Sequence, residues 1–366
     1  MVFFLFCGGA LISITICKRS SKYTIKNSIE KYTNDIIINN KALVALLSIG
    51  VVLITIVSIK VVILLLHGTK YHTIRALYYS YGEGSLISSE QLFTIFDWYM
   101  SMIITLATPT IIIGLLKKKI SKIAVIEYCV MSVLYIFATS GRFPIFLMAI
   151  ELVLTLFWYR DEISSKIKKK FFVVILVLAV GIGGMTIVRA QANQNKKLNS
   201  LYTYFSLPLP YFSKLVNYVD QNDINTYGAA TGYGPYLMIQ KGIKIITGYK
   251  LNNAEKLAEI VTKPQTYWVR IFMDSKDYFN AYSTMFYNFY LDFKEVGVII
   301  FSFIYGALIE MVYLNCKRNK TMKNIVIYMM LIIGVIQSFA VWQFASPTIL
   351  IALVLTNFIF KKERIE

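Results

Sequence analysis

The chain has 366 residues, 57% of them hydrophobic and only 16% charged, with a mean hydropathy of +0.58. Soluble chains are about a quarter charged, and so few charges cannot cover that much apolar surface, which excludes a soluble enzyme, a disordered chain and a nucleic-acid binder. The net charge of +18 therefore belongs to a polytopic membrane protein, an all-α transmembrane bundle of spans of roughly 20 residues each.

In chain order, apolar stretches lie at residues 2–17, 42–66, 91–116, 123–139, 143–159, 171–188, 296–315, 324–340 and 347–360, which predicts nine spans. The first suits an uncleaved signal anchor, though it is longer than a signal-peptide apolar region and has no basic segment ahead of it; a start codon chosen too late is the alternative. The loops alternate in charge. Residues 18–41 carry six Lys/Arg, 117–122 four, 160–170 five and 316–323 four, and the tail adds Lys361, Lys362 and Arg364. Together these segments hold 22 of the 38 basic residues and only six of the 20 acidic ones. The short loops between them carry Lys70, Arg75 and Arg142 alone. The positive-inside rule then predicts an outer N-terminus and an inner C-terminus. Cys7, Cys17, Cys129 and Cys316 fall in spans or at their inner ends, without metal spacing, and are expected as free thiols.

Residues 1–366 thus read as one integral membrane domain, and residues 189–295 as its one large extracytoplasmic loop, too long for a passive connector. Pro208, Pro210, Gly232, Gly234 and Pro235 divide this loop into short helices. Residues 235–247, apolar but carrying Lys241 and Lys244, predict an interfacial amphipathic helix. Tyr202, Tyr204, Tyr211, Tyr218, Tyr233, Trp268 and Tyr278 are among its many aromatics. They suit either an interfacial belt or platforms for sugar rings.

Charges inside or beside the spans carry the chemical signal. Lys60 and Asp97 lie at similar depths below the outer ends of the second and third spans, which suggests an ion pair; snorkelling of both toward the outer surface is the alternative. Glu151 lies near mid-span without an evident partner. Arg75 follows His67, Tyr71 and His72 in the first outer loop. Arg142 sits in the turn Ser140-Gly141-Arg142-Phe143-Pro144, where Ser140 as cap and Pro144 in the first turn would open the fifth span and point free N–H groups outward. An Arg at such a helix end makes an anion site; contact with lipid phosphate is the plainer reading. Arg189 suits an interfacial position, and Arg270 stands beside Trp268. Asp292 and Glu295 have the spacing of a capping box opening the seventh span, with a catalytic or acceptor-orienting role for Asp292 as the second choice.

Taken together, Ile74-Arg75 with its following tyrosines, Ser140-Gly141-Arg142 between two spans, and Asn280, Tyr282, Thr284, Asp292-Phe293 and Gly297 before the seventh span resemble the Wzy-type polymerases, the oligosaccharide repeat-unit polymerases of O-antigen and capsule synthesis. The departures are Lys294, where that family often has Gly, and a start with fewer spans. The resemblance implies a bacterial cytoplasmic membrane enzyme, similar to O-antigen ligases and other C-type glycosyltransferases. Such an enzyme works at the outer face on undecaprenyl-diphosphate-linked oligosaccharide as both donor and acceptor, needs no cofactor or metal, and has a chain-length regulator and a flippase as partners beside the membrane lipids. On that reading Arg142 and Arg75 hold the diphosphate with Arg270 as a third group, and His72, His67, Glu83 and Asp292 are the candidate bases. Arg189, Asn280, Tyr282, Thr284, Tyr204 and Trp268 are expected to contact substrate.

An O-antigen ligase-like transferase shares nearly all of these features. A lipid-linked glycan flippase, from a different functional class, would instead show two-fold internal symmetry and a charged central cavity.

Overall fold

The computed structural model describes residues 7–11, 13, 36–80, 82, 84–141, 143–192, 206–248, 253–270, 278, 279 and 283–362. They form, in order, β1 (Ile36–Ile38), α1 (Asn40–Leu66), α2 (Tyr71–Tyr78), α3 (Glu90–Leu116), α4 (Lys122–Thr139), α5 (Phe143–Trp158), α6 (Ser165–Ala192), α7 (Pro208–Gln221), α8 (Tyr233–Thr247), α9 (Ala254–Thr266), β2 (Val269–Arg270), β3 (Tyr278–Phe279), α10 (Phe286–Arg318), α11 (Met322–Gln337), a 3-10 turn at Gln343–Ala345, α12 (Thr348–Ile359) and β4 (Phe360–Lys362). The chain is mostly helical. Among the described residues α1, α3, α4 and α10 are long and apolar enough to cross a membrane, while α5, α11 and α12 are apolar but shorter. The predicted stretch 171–188 lies within α6, and the stretch 2–17 is described only in part.

Local chemistry sets the helix starts. Asn39, Ser89 and Ser121 each accept a hydrogen bond from the backbone N–H three residues on, at Ala42, Leu92 and Ala124, which satisfies one otherwise unpaired donor of the first turn.

The described residues fall into two compact units. The first comprises Asn34–Lys196, Thr321–Ile333 and Ile351–Glu366. Here α1 packs along α4. Its buried residues Leu43, Leu47, Gly50, Ile54, Val57 and Val61 alternate at four- and three-residue steps, the spacing of a knobs-into-holes seam. Ile49, Val52, Ile56, Ile59 and Ile63 stay exposed, as suits a lipid-facing stripe. At one end of this unit β1 pairs antiparallel with β4, Ile37 opposite Lys361. Asn40 accepts from the Ser121 N–H at 2.8 Å, and Lys117 pairs with Glu162 at 2.6 Å. Residues from four of the five basic segments thus meet at one end. The expected Lys60–Asp97 ion pair does not form. Lys60 Nζ donates to the Leu86 carbonyl at 3.1 Å, and Asp97 accepts from the Tyr78 hydroxyl at 3.4 Å. The loop before α3 folds back far enough to offer Lys60 a carbonyl, so each charge finds a neutral partner.

The second unit comprises Met1–Thr33, Lys197–Lys320 and Gly334–Leu350. Gly9 lies against α10 so closely that a Cβ there would stand 2.1 Å from the Phe303 carbonyl oxygen, the small-residue contact that lets helix backbones approach in lipid. Helices α7, α8 and α9 surround the start of α10 through a core of Tyr211, Leu215, Val219, Ala230, Tyr233, Val261, Tyr287, Tyr290 and Leu291. Much of the loop's aromatic content is therefore internal packing rather than a belt or a sugar platform. Tyr211 donates to the carbonyls of Pro264 and Tyr267 at 3.0 and 2.7 Å; burial, and then the neighbouring Tyr267, pushes its phenol up and keeps it a donor. The helix expected at 235–247 is α8, with Met238, Ile239 and Ile246 exposed. Cys7, Cys129 and Cys316 are free thiols, and Cys17 lies outside the described residues.

Candidate functional site

In the first unit the site is built on α2. Its sequence, Tyr-His-Thr-Ile-Arg-Ala-Leu-Tyr, places Ile74 and Tyr78 one turn apart, and both are fully buried. Tyr71 stacks on Phe137 with ring centres 5.9 Å apart and donates to the Phe137 carbonyl at 3.2 Å. These contacts fix the short helix at the C-terminal end of α4. Tyr78 is edge-on to Phe93 and Phe96 of α3. Burial above all pushes its phenol far up, so it stays protonated and donates to Asp97.

With Ile74 and Tyr78 turned inward, Arg75 lies on the flank of α2 next to the buried face. It is half-buried, and its guanidinium carbon lies 5.3 Å from the centre of the Tyr79 ring. Among the described residues no carboxylate pairs with it. A guanidinium carries five N–H donors in a planar fork, and a ring face uses none of them in a hydrogen bond. Arg75 is thus arranged as a half-buried, aromatic-backed cation able to take an anion bidentately. His72 lies on the same helix; its side chain is outside the description. His67 closes α1, its Nδ1 2.7 Å from the Ile63 carbonyl. That contact favours the tautomer with the proton on Nδ1.

Ser140 takes a left-handed conformation, φ 48°, as the residue that ends α4, its N–H donating to the Phe137 carbonyl, and α5 starts three residues later. In the same turn a Cβ at Gly141 would stand 3.0 Å from the Thr139 hydroxyl oxygen and 3.3 Å from the Pro144 ring. Arg142 and Glu83 lie outside the described residues, as do Tyr204, Asn280 and Tyr282. Arg189 is in α6, with its side chain undescribed.

In the second unit the notable residue is Asp292, which is fully buried. The expected capping box with Glu295 is absent. Helix α10 starts before Asp292 and bends after it, at Phe293 and Lys294, where the φ of Lys294 is 52°. Asp292 instead binds a turn more than sixty residues earlier. It accepts from the Thr226 hydroxyl, from the Ala230 N–H at 3.0 Å and from the Thr231 N–H at 2.8 Å. Asn288 donates to the Ala230 carbonyl at 3.0 Å, and Trp342 Nε1 donates to the Thr231 carbonyl at 2.8 Å. Three donors on one buried carboxylate make a latch. Gly297 completes the bend: a Cβ there would stand 2.2 Å from the Phe289 carbonyl oxygen. Thr284 is buried beside the start of α10, its hydroxyl unpaired.

The two-residue ribbon β2–β3 pairs Arg270 with Tyr278. Trp268 lies just before β2. Trp268 is 60% and Tyr278 55% exposed, and Arg270 is exposed between them. This is the exposed aromatic–arginine face of the large loop, where a sugar ring can lie on an aromatic face beside a cation.

Thr226, Thr231 and Trp342 were not singled out from the sequence, and nothing in their spacing links them to Asp292. Tyr79 had only its place after Arg75, and Tyr278 its place among many tyrosines. Comparison of the chain with protein-family models, with curated proteins and with solved structures finds no match.

Proposed function

We propose that the chain is a membrane glycosyltransferase of the Wzy type. It polymerises undecaprenyl-diphosphate-linked oligosaccharide repeat units into O-antigen or capsular polysaccharide at the outer face of the bacterial cytoplasmic membrane. The observation that carries this reading is Arg75, a half-buried guanidinium set over Tyr79 with no carboxylate partner among the described residues. It lies on a helix in a segment that holds only one other basic residue, Lys70. The exposed Trp268, Arg270 and Tyr278 add a surface suited to glycan.

In this reaction the bond between the anomeric carbon of the growing chain and its diphosphate oxygen breaks, and the electron pair leaves with the lipid diphosphate. A hydroxyl oxygen of the incoming lipid-linked unit forms the new bond to that carbon, and its proton passes to a base. Arg75, together with Arg142, stabilises charge developing on the departing phosphate oxygen. Asp292, with its oxygens engaged by three donors, is assigned to folding. His72, His67 and Glu83 remain as candidate bases, and His72, three residues before Arg75 on α2, is preferred.

Deletion of the gene followed by analysis of surface glycan and lipid intermediates tests the proposal. Loss of a polymerase leaves single repeat units on the final acceptor. Long chains retained on the lipid carrier would identify a ligase, and single units trapped at the inner face a flippase. Complementation with Arg75→Ala at normal protein level should lower chain extension by about 10²-fold or more, with Arg75→Lys restoring it only in part; full extension by the Ala variant would remove Arg75 from the mechanism.

A further inference from the structure

Tyr227 is 78% exposed, and its backbone is left-handed, with φ at 51° and that of Gly228 at 94°. A bulky residue rarely takes that conformation unless its surroundings hold it there. The hold is visible. The Tyr227 N–H donates to the Asn225 side chain at 3.0 Å, the Thr226 N–H donates to the Leu291 carbonyl at 2.8 Å, and the Thr226 hydroxyl donates to Asp292. The turn is thus fastened to α10 through Thr226 and leaves the next ring outside. That ring meets Phe293 edge-on with centres 6.4 Å apart, and Phe293 is itself exposed at the bend of α10. Two aromatic rings therefore project where a glycine or asparagine would fit the backbone and suit water better. Beyond the bend, Val296, Ile300, Ile304 and Met311 are exposed and fall within about a quarter turn of one another on the helix. Glu310 is the only charged residue from 296 to 316. At the far end the Lys317 ammonium lies 4.9 Å from the centre of the Tyr313 ring. At about 1.5 Å per residue, the helix from Glu295 to Lys317 measures about 33 Å, against roughly 30 Å for the hydrocarbon core of a bilayer.

We propose that Tyr227 and Phe293 form an aromatic anchor that docks on the headgroup region of the phospholipid bilayer, with the bend of α10 at that boundary and Tyr313 and Lys317 at the opposite one. The apolar face of α10 begins at Val296, directly beyond the two rings, so the surface that surrounds that face reaches the rings as well. The helix between the two aromatic ends has the length of one hydrocarbon core. The chemistry fits the same place: a tyrosine at such a boundary lays its ring against the acyl chains and keeps its hydroxyl among the headgroups. In water the exposed rings would only cost free energy. A sugar platform would account for the rings but not for their continuity with a long apolar helix face. The partner is therefore the lipid surface of the leaflet opposite Lys317 and Arg318. Thr226 joins Tyr227 to Asp292, so the anchor holds the Asp292 latch at headgroup level. The proposal rests on the membrane reading of α10 and not on the transferase reading.

The test uses the full chain in vesicles of phosphatidylglycerol and phosphatidylethanolamine. A fluorescent amino acid, introduced by stop-codon suppression, takes the place of Tyr227, of Ile304 in the apolar face and of the exposed Lys256 in α9, one at a time. The quenchers are lipid with a spin label near the headgroup, lipid with a spin label near the end of the acyl chain, and aqueous iodide. In place of Tyr227 the fluorophore should be quenched by the shallow label about twofold or more better than by the deep one, and by iodide about twofold or more less than in place of Lys256. In place of Ile304 the deep label should quench best. Iodide quenching at Tyr227 equal to that at Lys256, with Ile304 still quenched by the deep label, overturns the anchor and leaves α10 as a span. Stronger quenching at Tyr227 by the deep label than by the shallow one overturns the assigned boundary. Quenching of all three positions by iodide alone overturns the anchor together with the membrane reading of α10. If the chain labelled at Tyr227 does not fold, the same measurement in place of Phe293 decides the proposal by the same criteria.

Discussion

Arg75 and Asp292 are both charged residues next to tyrosines or aromatics at the edges of apolar stretches, and the sequence marks both as candidates for substrate chemistry. The structure treats them differently. Asp292 is fully buried, and its carboxylate is taken by the Thr226 hydroxyl and two backbone N–H groups. Arg75 is backed by the face of Tyr79 and keeps its hydrogen-bonding fork clear of any carboxylate among the described residues. A charge saturated by its own fold is part of the scaffold, whereas one that is positioned but unsaturated is available to a ligand. The distinction rests on distant partners, such as Thr231, 61 residues from Asp292, and no local pattern reveals it.

The largest effect that sharpens this contrast is expected from Asp292→Ala. It leaves one hydroxyl and two N–H groups buried without an acceptor, each costing about 1–3 kcal/mol, so the variant should lose roughly 3 kcal/mol or more and its protein level should fall. Arg75→Ala removes only a contact with a ring, worth about 1 kcal/mol, and should melt close to the wild type. Thermal unfolding of both variants in the same detergent checks this. A melting temperature of Arg75→Ala as low as that of Asp292→Ala would erase the distinction.

Next in size is Gly297→Ala. The added methyl would stand 2.2 Å from the Phe289 carbonyl oxygen, and a backbone atom cannot step aside as a flexible side chain can. The bend in α10 must open, at about 1–3 kcal/mol, and the Asp292 latch, just before the bend, loosens with it. Limited proteolysis of the loop at residues 206–248 should therefore quicken in Gly297→Ala; an unchanged digestion rate would separate the bend from the latch.

Hydropathy made much of the scaffold legible. The stretches 42–66, 91–116 and 123–139 match α1, α3 and α4 within two residues at each end, because a long apolar run with a capping Asn or Ser before it has few alternatives. The stretch 296–315 misses the first turns of α10, which begins at Phe286. There the polar residues Asp292, Lys294 and Glu295 imitate a helix start, and only tertiary contacts show that the chain is already helical. The aromatics of the large loop misled for a similar reason. A tyrosine on a small loop domain looks the same in sequence whether it is packed inside, as Tyr211 and Tyr233 are, or exposed, as Tyr278 is.

The smallest predicted effect concerns Lys294, in the bend of α10. Its backbone, φ 52° and ψ −137°, is a conformation that side-chain-bearing residues rarely adopt. Three contacts hold it there: an ion pair with Asp220 at 3.0 Å, the Val219 carbonyl at 3.4 Å and the Tyr290 ring at 5.5 Å. Lys294 and Asp220 are partly exposed, so the pair contributes about 0–1 kcal/mol, comparable with the strain it offsets. Lys294→Gly relieves the strain and loses the contacts, and should melt within about 1 kcal/mol of the wild type. Lys294→Ala loses the contacts and keeps the strain, and should fall below the Gly variant by about 1 kcal/mol. Equal melting of the two would mean that position 294 is not left-handed, and the latch at Asp292 would then have to be reached by a continuous helix. The Gly variant exceeding the Ala variant would tie the backbone conformation at this position to the bend itself.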